Sequence, residues 1–249
     1  MGSRILSRGH QRQAYSVRLA MTQQDVRAAQ ALRFIVFNVE LGEGLESSYH
    51  TCRDEDPFDP VCDHLLVECA GEVVGTYRLQ TGRRAAEHHG YYSEGEFDFA
   101  PFEAKREEIV ELGRACVARE HRNLTVLGLL WRGIVAYARQ VGGRYLIGCG
   151  SLASQDEAEG AALHFALQAS HAAPVEWQTR PLASHAFSLE HVAPRAPRPP
   201  KLLMAYLSLG AKICGAPAID REFKTIDFLT LLDLEALPEE TQQFLSPTE

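Results

Sequence analysis

Residues 111–150, ELGRACVAREHRNLTVLGLLWRGIVAYARQVGGRYLIGCG, decide the fold. Leu127, Leu130, Trp131, Ile134, Val135 and Ala138 recur at three- and four-residue spacing, which lays one apolar stripe along a helix. A polar turn, Arg119-Glu-His-Arg-Asn, precedes this helix and the breaker Gly142-Gly143 follows it. The flanking runs, residues 109–117 and 144–149, are short, apolar and rich in β-branched residues, as buried strands are. The unit is therefore strand, turn, helix, strand. Free N–H groups and the dipole at the start of such a helix attract an anion, although many such units bind nothing at that turn.

With 249 residues and 45% hydrophobic content, the chain is long enough for one large domain. We expect residues 14–249 to form that domain and the basic, aperiodic residues 1–13 to be a disordered arm. Twenty-five Lys and Arg against 33 Asp and Glu give a net charge of -8, which argues against nucleic-acid binding, so any acidic partner must meet a local basic patch. The six cysteines show no CxxC pair and no histidine at ligand spacing, so reduced thiols and no metal are expected. No apolar run approaches the ~18 residues of a membrane span and the amino terminus has no signal-like segment. A soluble, cytoplasmic protein is expected, with peripheral contact to the inner membrane left open.

Outward from the central unit, residues 15–20 alternate like a strand, and Thr22 caps a helix with Val26, Ala29, Leu32, Arg33, Val36 and Phe37 on one face. Residues 42–60 read as a long polar loop, residues 64–69 and 73–79 as a hairpin turning at Ala70-Gly71, and Arg83-Arg84 and His88-His89 as parts of a following loop. Ser154-Gln-Asp-Glu157 has the spacing of a capping box, residues 175–179 read as a strand, and residues 191–200 are too proline-rich to be regular. A helix over 202–209 should end at Gly210, followed by a loop over 218–223, a buried strand over 225–234 and a polar helix from about Pro238. The order predicts a mixed α/β sheet with helices on both faces.

Several charges fall where the pattern is otherwise apolar: Arg33, Asp56, Asp59, Arg78, Glu111 and Arg114. Ionised groups near a core need partners, so these six invite a shared network. Two uses are open. The network can be an ion-pair lattice pinning the 42–60 loop to the sheet. It can instead line a polar pocket where a carboxylate takes a proton from an amine and an arginine grips a substrate carboxylate.

The runs Leu32-Arg33-Phe34-Ile-Val-Phe37-Asn-Val-Glu40, Asp54-Glu-Asp56-Pro-Phe-Asp59, Cys62-Asp-His64-Leu-Leu-Val, Val74-Gly-Thr-Tyr-Arg78-Leu and Glu111-Leu-Gly-Arg114-Ala-Cys-Val resemble the N-acyltransferase branch of the GNAT superfamily. Leu129-Leu130-Trp131-Arg-Gly133-Ile, Gly148-Cys149-Gly-Ser151-Leu152, residues 200–210 and residues 217–228 are most similar to the ornithine Nα-acyltransferases and N-acyl amino acid synthases within it. The resemblance spans about residues 15–237 in matching order.

It implies a GNAT-like fold and transfer of a long-chain, 3-hydroxyacyl type of group from acyl carrier protein, with acyl-CoA as the other possible donor, to the α-amino group of an amino acid, ornithine first. The product would be of the lyso-ornithine lipid type, and no cofactor is implied. Glu111 becomes the candidate general base acting through water, with Arg114 beside it. Arg33, Phe37, Asp56, Asp59, Arg78 and Ser151 become substrate-site candidates, the arginines holding either the acceptor carboxylate or the loop carboxylates.

Val117, Arg119, Arg122, Leu124, Thr125 and Val126 become candidates for the carrier's phosphopantetheine arm. GNAT acetyltransferases carry a glycine-rich turn for the coenzyme pyrophosphate, where this chain has Arg122-Asn-Leu-Thr125-Val-Leu127. That departure favours a carrier-protein donor, whose arm has a single phosphate. Acyl carrier protein is acidic, so Arg119, Arg122, Arg83-Arg84 and the Arg195, Arg198, Lys201 connector are its candidate contacts. An acyl-homoserine lactone synthase and a non-catalytic acyl-binding protein on the same scaffold are the alternative readings.

Overall fold

The computed structural model describes residues 14–245, so the expected arm over 1–13 lies outside the described residues. Eight strands make one sheet: β1 (Tyr15–Leu19), β2 (Asp63–Cys69), β3 (Glu72–Thr81), β4 (Ile109–Val117), β5 (Tyr145–Leu152), β6 (Lys212–Ile213), β7 (Ala218–Asp220) and β8 (Thr225–Asp233). Their spatial order is β1-β2-β3-β4-β5-β8-β6, with β7 also on β8, and β4–β5 is the parallel pair. The helices are α1 (Gln23–Phe34), α2 (Ser48–Thr51), α3 (Gly82–Glu87), α4 (Leu124–Gln140), α5 (Glu157–His171), α6 (Lys201–Ser208) and α7 (Glu239–Leu245).

The central unit folds as its periodicity requires. Asn123 caps α4 by accepting from the Val126 N–H at 3.1 Å, and Leu130, Trp131, Ile134, Val135 and Ala138 are buried against the sheet. They meet Val110, Leu112, Leu146 and Leu232, which alternate onto one sheet face. The opposite face carries Ile109, Ile147, Leu229 and Leu231, covered by Tyr91, Phe97, Phe99 and Phe102 from the segment between α3 and β4. Thr22 caps α1 in a reciprocal box with Asp25. Beyond Phe34 the helix widens into a π-helical stretch, Ile35–Glu40, a local irregularity often found at functional sites.

Two features of β4 and β5 prepare a site. Their parallel ladder covers Ile109–Glu111 against Tyr145–Ile147 and then stops, so the strands part like a V. Gly148 stands where they diverge, and a Cβ there would lie 2.5 Å from the Leu112 carbonyl oxygen, a contact that no side chain could make. Opposite, β4 bulges against β3: the pairs Arg78–Gly113 and Thr76–Cys116 enclose one residue on β3 and two on β4. Arg114 takes up the extra length at φ +48, a strained conformation for a non-glycine residue.

Four local expectations are corrected. Residues 82–87 form α3, because Thr81 accepts from the Arg84 N–H and starts a helix. The cap of α5 is Asp156, accepting from the Ala158 N–H, while Ser154 donates to Glu159. Val175–Trp177 is a 3₁₀ turn because Trp177 folds onto Phe102 and Tyr145. Ala218–Asp220, read as loop, is β7. The loop over 42–60 also contains α2 and a 3₁₀ turn at Asp59–Val61.

Candidate active site where the central strands part

A cavity opens in the gap between β4 and β5, enclosing about 970 Å³ of atom-free space with its open mouth included. Glu111, Arg114 and Gly113 from β4, Arg78 and Gln80 from β3, and Cys149 and Ser151 from β5 contribute to its lining. Phe37 comes from the π-helical stretch, Tyr206 from α6, and Asp220 and Asp227 from β7 and β8.

Arg33, Arg78 and Arg114 form a closed lattice with Asp54, Asp56 and Asp59. Arg33, 1% exposed, contacts Asp54 at 2.8 Å and Asp59 at 2.6 Å, and also donates to the Asp54 carbonyl. Arg78 reaches Asp56 at 2.6 Å and Asp59 at 3.1 Å. Arg114 lies 3.3 Å from Asp54 and 3.1 Å from Asp56, its guanidinium stacked between the rings of Tyr92 and Phe223. Burial alone would raise Asp56, but Arg78 and Arg114 outweigh it and hold the carboxyl below its ordinary range; Arg33 does the same for Asp59. The arginines thus hold the loop carboxylates, and Arg33 does not line the cavity. Asp54, quoted in the motif but not singled out as a site residue, is the fully buried hub of the lattice.

Glu111 stands apart from these ion pairs. It faces the cavity from the last β4 position paired with β5 and accepts from the Tyr92 N–H at 2.7 Å, the Ser93 N–H at 2.9 Å and the Ser93 hydroxyl. Burial raises its pKa, and these donors together with Arg78 oppose the rise. A carboxylate held above its ordinary range is a better proton acceptor near neutral pH than a solvated one. Tyr92 and Ser93, on the 3₁₀ turn Tyr92–Gly95, were not distinguishable in the sequence from other loop residues.

The carrier-arm candidates occupy the entrance to α4. Leu124 is 85% exposed, Thr125 is exposed, and α4 begins at Leu124; with the Val126 N–H taken by Asn123, the Leu124 and Thr125 N–H groups are the ones left without a partner inside the helix. Val126 is fully buried against the sheet, so its side chain serves packing. Arg122 donates to the Val117 carbonyl and makes a paired contact with Glu40 at 2.5 and 2.8 Å. Arg84 bonds Asp63 at 3.0 Å, whereas Arg119, Arg195, Arg198 and Lys201 are exposed and make no ion pair among the described residues.

The fold is a mixed sheet whose central pair parts, with a buried carboxylate at the end of the shared ladder and an exposed helix start following β4. Residues 32–132 match the family model for the acetyltransferase (GNAT) domain. The chain is 34% identical over 246 residues to the L-ornithine N(alpha)-acyltransferase of Rhodobacter capsulatus, covering 93% of this chain and 94% of that one. It is 35% identical over 238 residues to the enzyme of that name from Agrobacterium fabrum, covering 88% and 81%. In fold it is similar to FeeM, an N-acyl amino acid synthase from uncultured soil microbes (TM-score 0.59, 12% identity, 94% and 100% covered). The acyl-homoserine lactone synthase LasI gives a TM-score of 0.53 at 13% identity, with 95% and 98% covered. The chain belongs to the L-ornithine Nα-acyltransferase family of the GNAT superfamily, and it is an enzyme that acylates an amino acid.

Proposed function

We propose that this enzyme transfers a long-chain, 3-hydroxyacyl type of group from the phosphopantetheine thioester of acyl carrier protein to the α-amino group of ornithine. The observation that carries this reading is the position of Glu111 at the vertex of the V, facing a cavity that runs between two strands with no ladder bonds joining them. An extended pantetheine arm lying in that gap would meet the free backbone edge of β4 and bring its thioester alongside Glu111. The neutral α-amine attacks the thioester carbonyl, its proton passes through water to Glu111, the C–S bond breaks, and the departing thiolate takes that proton to leave as the carrier thiol.

The helix entrance at Leu124 and Thr125 suits the single phosphate of the arm, and the exposed cations at Arg119, Arg195, Arg198 and Lys201 suit an acidic carrier. No helix among the described residues is long and apolar enough to cross a membrane. We place the enzyme in the cytoplasm, delivering its amphiphilic product to the inner membrane by peripheral contact.

The test is mass spectrometry of the purified enzyme incubated with ornithine and long-chain acyl carrier protein, with acyl-CoA and acetyl-CoA in parallel tubes. N-acylornithine formed from the carrier-protein donor is the expected result; product from coenzyme A thioesters alone would reverse the donor assignment. Glu111→Gln should lower kcat by ~10²–10⁴-fold while the folded structure, followed by circular dichroism, persists. Unchanged turnover would remove Glu111 from the mechanism.

A further inference from the structure

The cavity wall away from the arginine lattice carries a second set of acids. Asp227 of β8 lies opposite Ser151 on β5 and Ala218 on β7, which aims its side chain at the cavity. Glu96, Cys149 and Asp227 bring their ligand atoms within 4.8 Å of one another, and Asp220 and Glu43 line the same cavity. Among the described residues none of Glu43, Glu96, Asp220 and Asp227 pairs with a lysine or arginine; Arg78 and Arg114 are engaged by Asp54, Asp56 and Asp59.

The polar atoms here are also incomplete. Asp227 is 3% exposed and Thr225 is 1% exposed, and although Ser151, Thr225 and Glu96 lie against the Asp227 carboxyl, neither Asp227 Oδ1 nor Thr225 Oγ1 makes a well-formed hydrogen bond. Both residues line the cavity. Of the neighbouring groups, the Tyr92 hydroxyl donates to Asp220 at 3.3 Å, and the Cys149 thiol, raised well above its ordinary range by burial, stays neutral. Buried acids with open oxygens and no cation of their own favour a ligand that brings both hydrogens and positive charge.

We propose that Asp227, with Thr225 and Glu96, binds the side-chain ammonium of a basic amino acid acceptor and so selects it. The inference rests on the amino acid acyltransferase reading above and assigns the acceptor's second nitrogen. An ammonium carries three donors, matching the open Asp227 and Thr225 oxygens and the Glu96 carboxylate. The same contact separates the acceptor's two amines. The side-chain nitrogen stays protonated between carboxylates and cannot attack, while the α-nitrogen remains free to lose its proton toward Glu111. Asp227 and Thr225 are specificity-determining residues on this reading, without a part in the acyl transfer itself.

The test compares L-ornithine with L-norvaline, which has the same carbon chain without the terminal amine. Binding to the full chain is measured by calorimetry without donor, and kcat/KM is measured with acyl carrier protein thioester. The expected result is that ornithine binds well ahead of norvaline, that Asp227→Asn cuts the ornithine-to-norvaline ratio about 100-fold, chiefly through KM, and that Thr225→Val cuts it less. Melting curves check that both variants fold. Selective ornithine binding without product would sink the acyl-transfer reading while supporting this one. Equal handling of the two acceptors, or a ratio untouched in both variants, would overturn this inference and leave acyl transfer standing. A stoichiometric divalent metal retained by the purified protein and lost in Asp227→Asn would also overturn it.

Discussion

The molecule holds two groups of buried carboxylates against one sheet, and they differ in what balances them. Asp54, Asp56 and Asp59 are matched by Arg33, Arg78 and Arg114, with contacts of 2.6–3.3 Å. Glu96, Asp220, Asp227 and, at the cavity wall, Glu43 have no such matches among the described residues. Burial is comparable in both, so the counterion separates their effects: the paired carboxyls Asp56 and Asp59 fall below their ordinary range, while Asp227 is pushed up to about 6 and Glu43 to about 7. A balanced buried charge is architecture, holding the 42–60 loop to β3 and β4. An unbalanced one is a site waiting for its cation.

The comparison breaks most violently at the lattice. Arg33→Met removes one cation and leaves Asp54 and Asp59 buried with one fewer partner, which should cost ~3–5 kcal/mol and leave little folded protein at moderate urea. Chemical denaturation followed by circular dichroism reads this directly. A loss below about 1 kcal/mol would mean that water compensates these aspartates and that the lattice does not hold the loop. The pH sign follows from the depressed carboxyls: their contribution is present above an ordinary aspartate pKa of about 4 and is lost as pH falls through the folded values.

Asp227 should behave oppositely. Its folded pKa lies above the unfolded one, so its stabilising contribution is present below about pH 4 and is lost as pH rises toward about 6. Asp227→Asn should therefore stabilise the ligand-free protein by ~1–3 kcal/mol at pH 8 and leave it nearly unchanged at pH 4. Thermal melting at the two pH values decides it. Destabilisation at pH 8 would show that Asp227 has an internal donor and belongs with the first group. Glu96, Glu43, Asp220 and Cys149 share this surroundings, so Glu96→Gln serves as the parallel variant.

How much of this was legible follows from the same contrast. The stripe on α4 fixed the central unit because a repeating pattern averages over many residues, and Thr22 and the Ala70-Gly71 turn acted through local chemistry. The charges at 33, 56, 59, 78 and 114 stood out because arginines and aspartates interrupt apolar runs. Their division into pairs needed three dimensions, since Arg114 meets Asp56 across 58 positions of sequence. Asp227 left a local signal: it is an acid in Thr-Ile-Asp-Phe-Leu-Thr-Leu-Leu, on the face shared with Leu229 and Leu231. Glu96 left none, being one of several acids in a loop, and its meeting with Asp227 is made by the sheet order. The strand expected at 175–179 failed because tertiary packing of Trp177 overrode a short alternating segment.

The smallest effect lies outside both groups, and it separates surface pairing from carrier binding. Arg122 and Glu40 face each other at 2.5 and 2.8 Å, but Arg122 is 40% exposed, so solvent screens the pair. Arg122→Ala should change stability by no more than about 1 kcal/mol. If the entrance to α4 receives an acidic carrier, the same variant should raise KM for acyl carrier protein several-fold at low salt, with the difference shrinking as salt screens the encounter. Equal salt dependence in wild type and variant would move the carrier contact to the Arg195, Arg198 and Lys201 connector. That outcome would still fit a phosphate at the Leu124 and Thr125 amides, because those groups are backbone and survive the substitution.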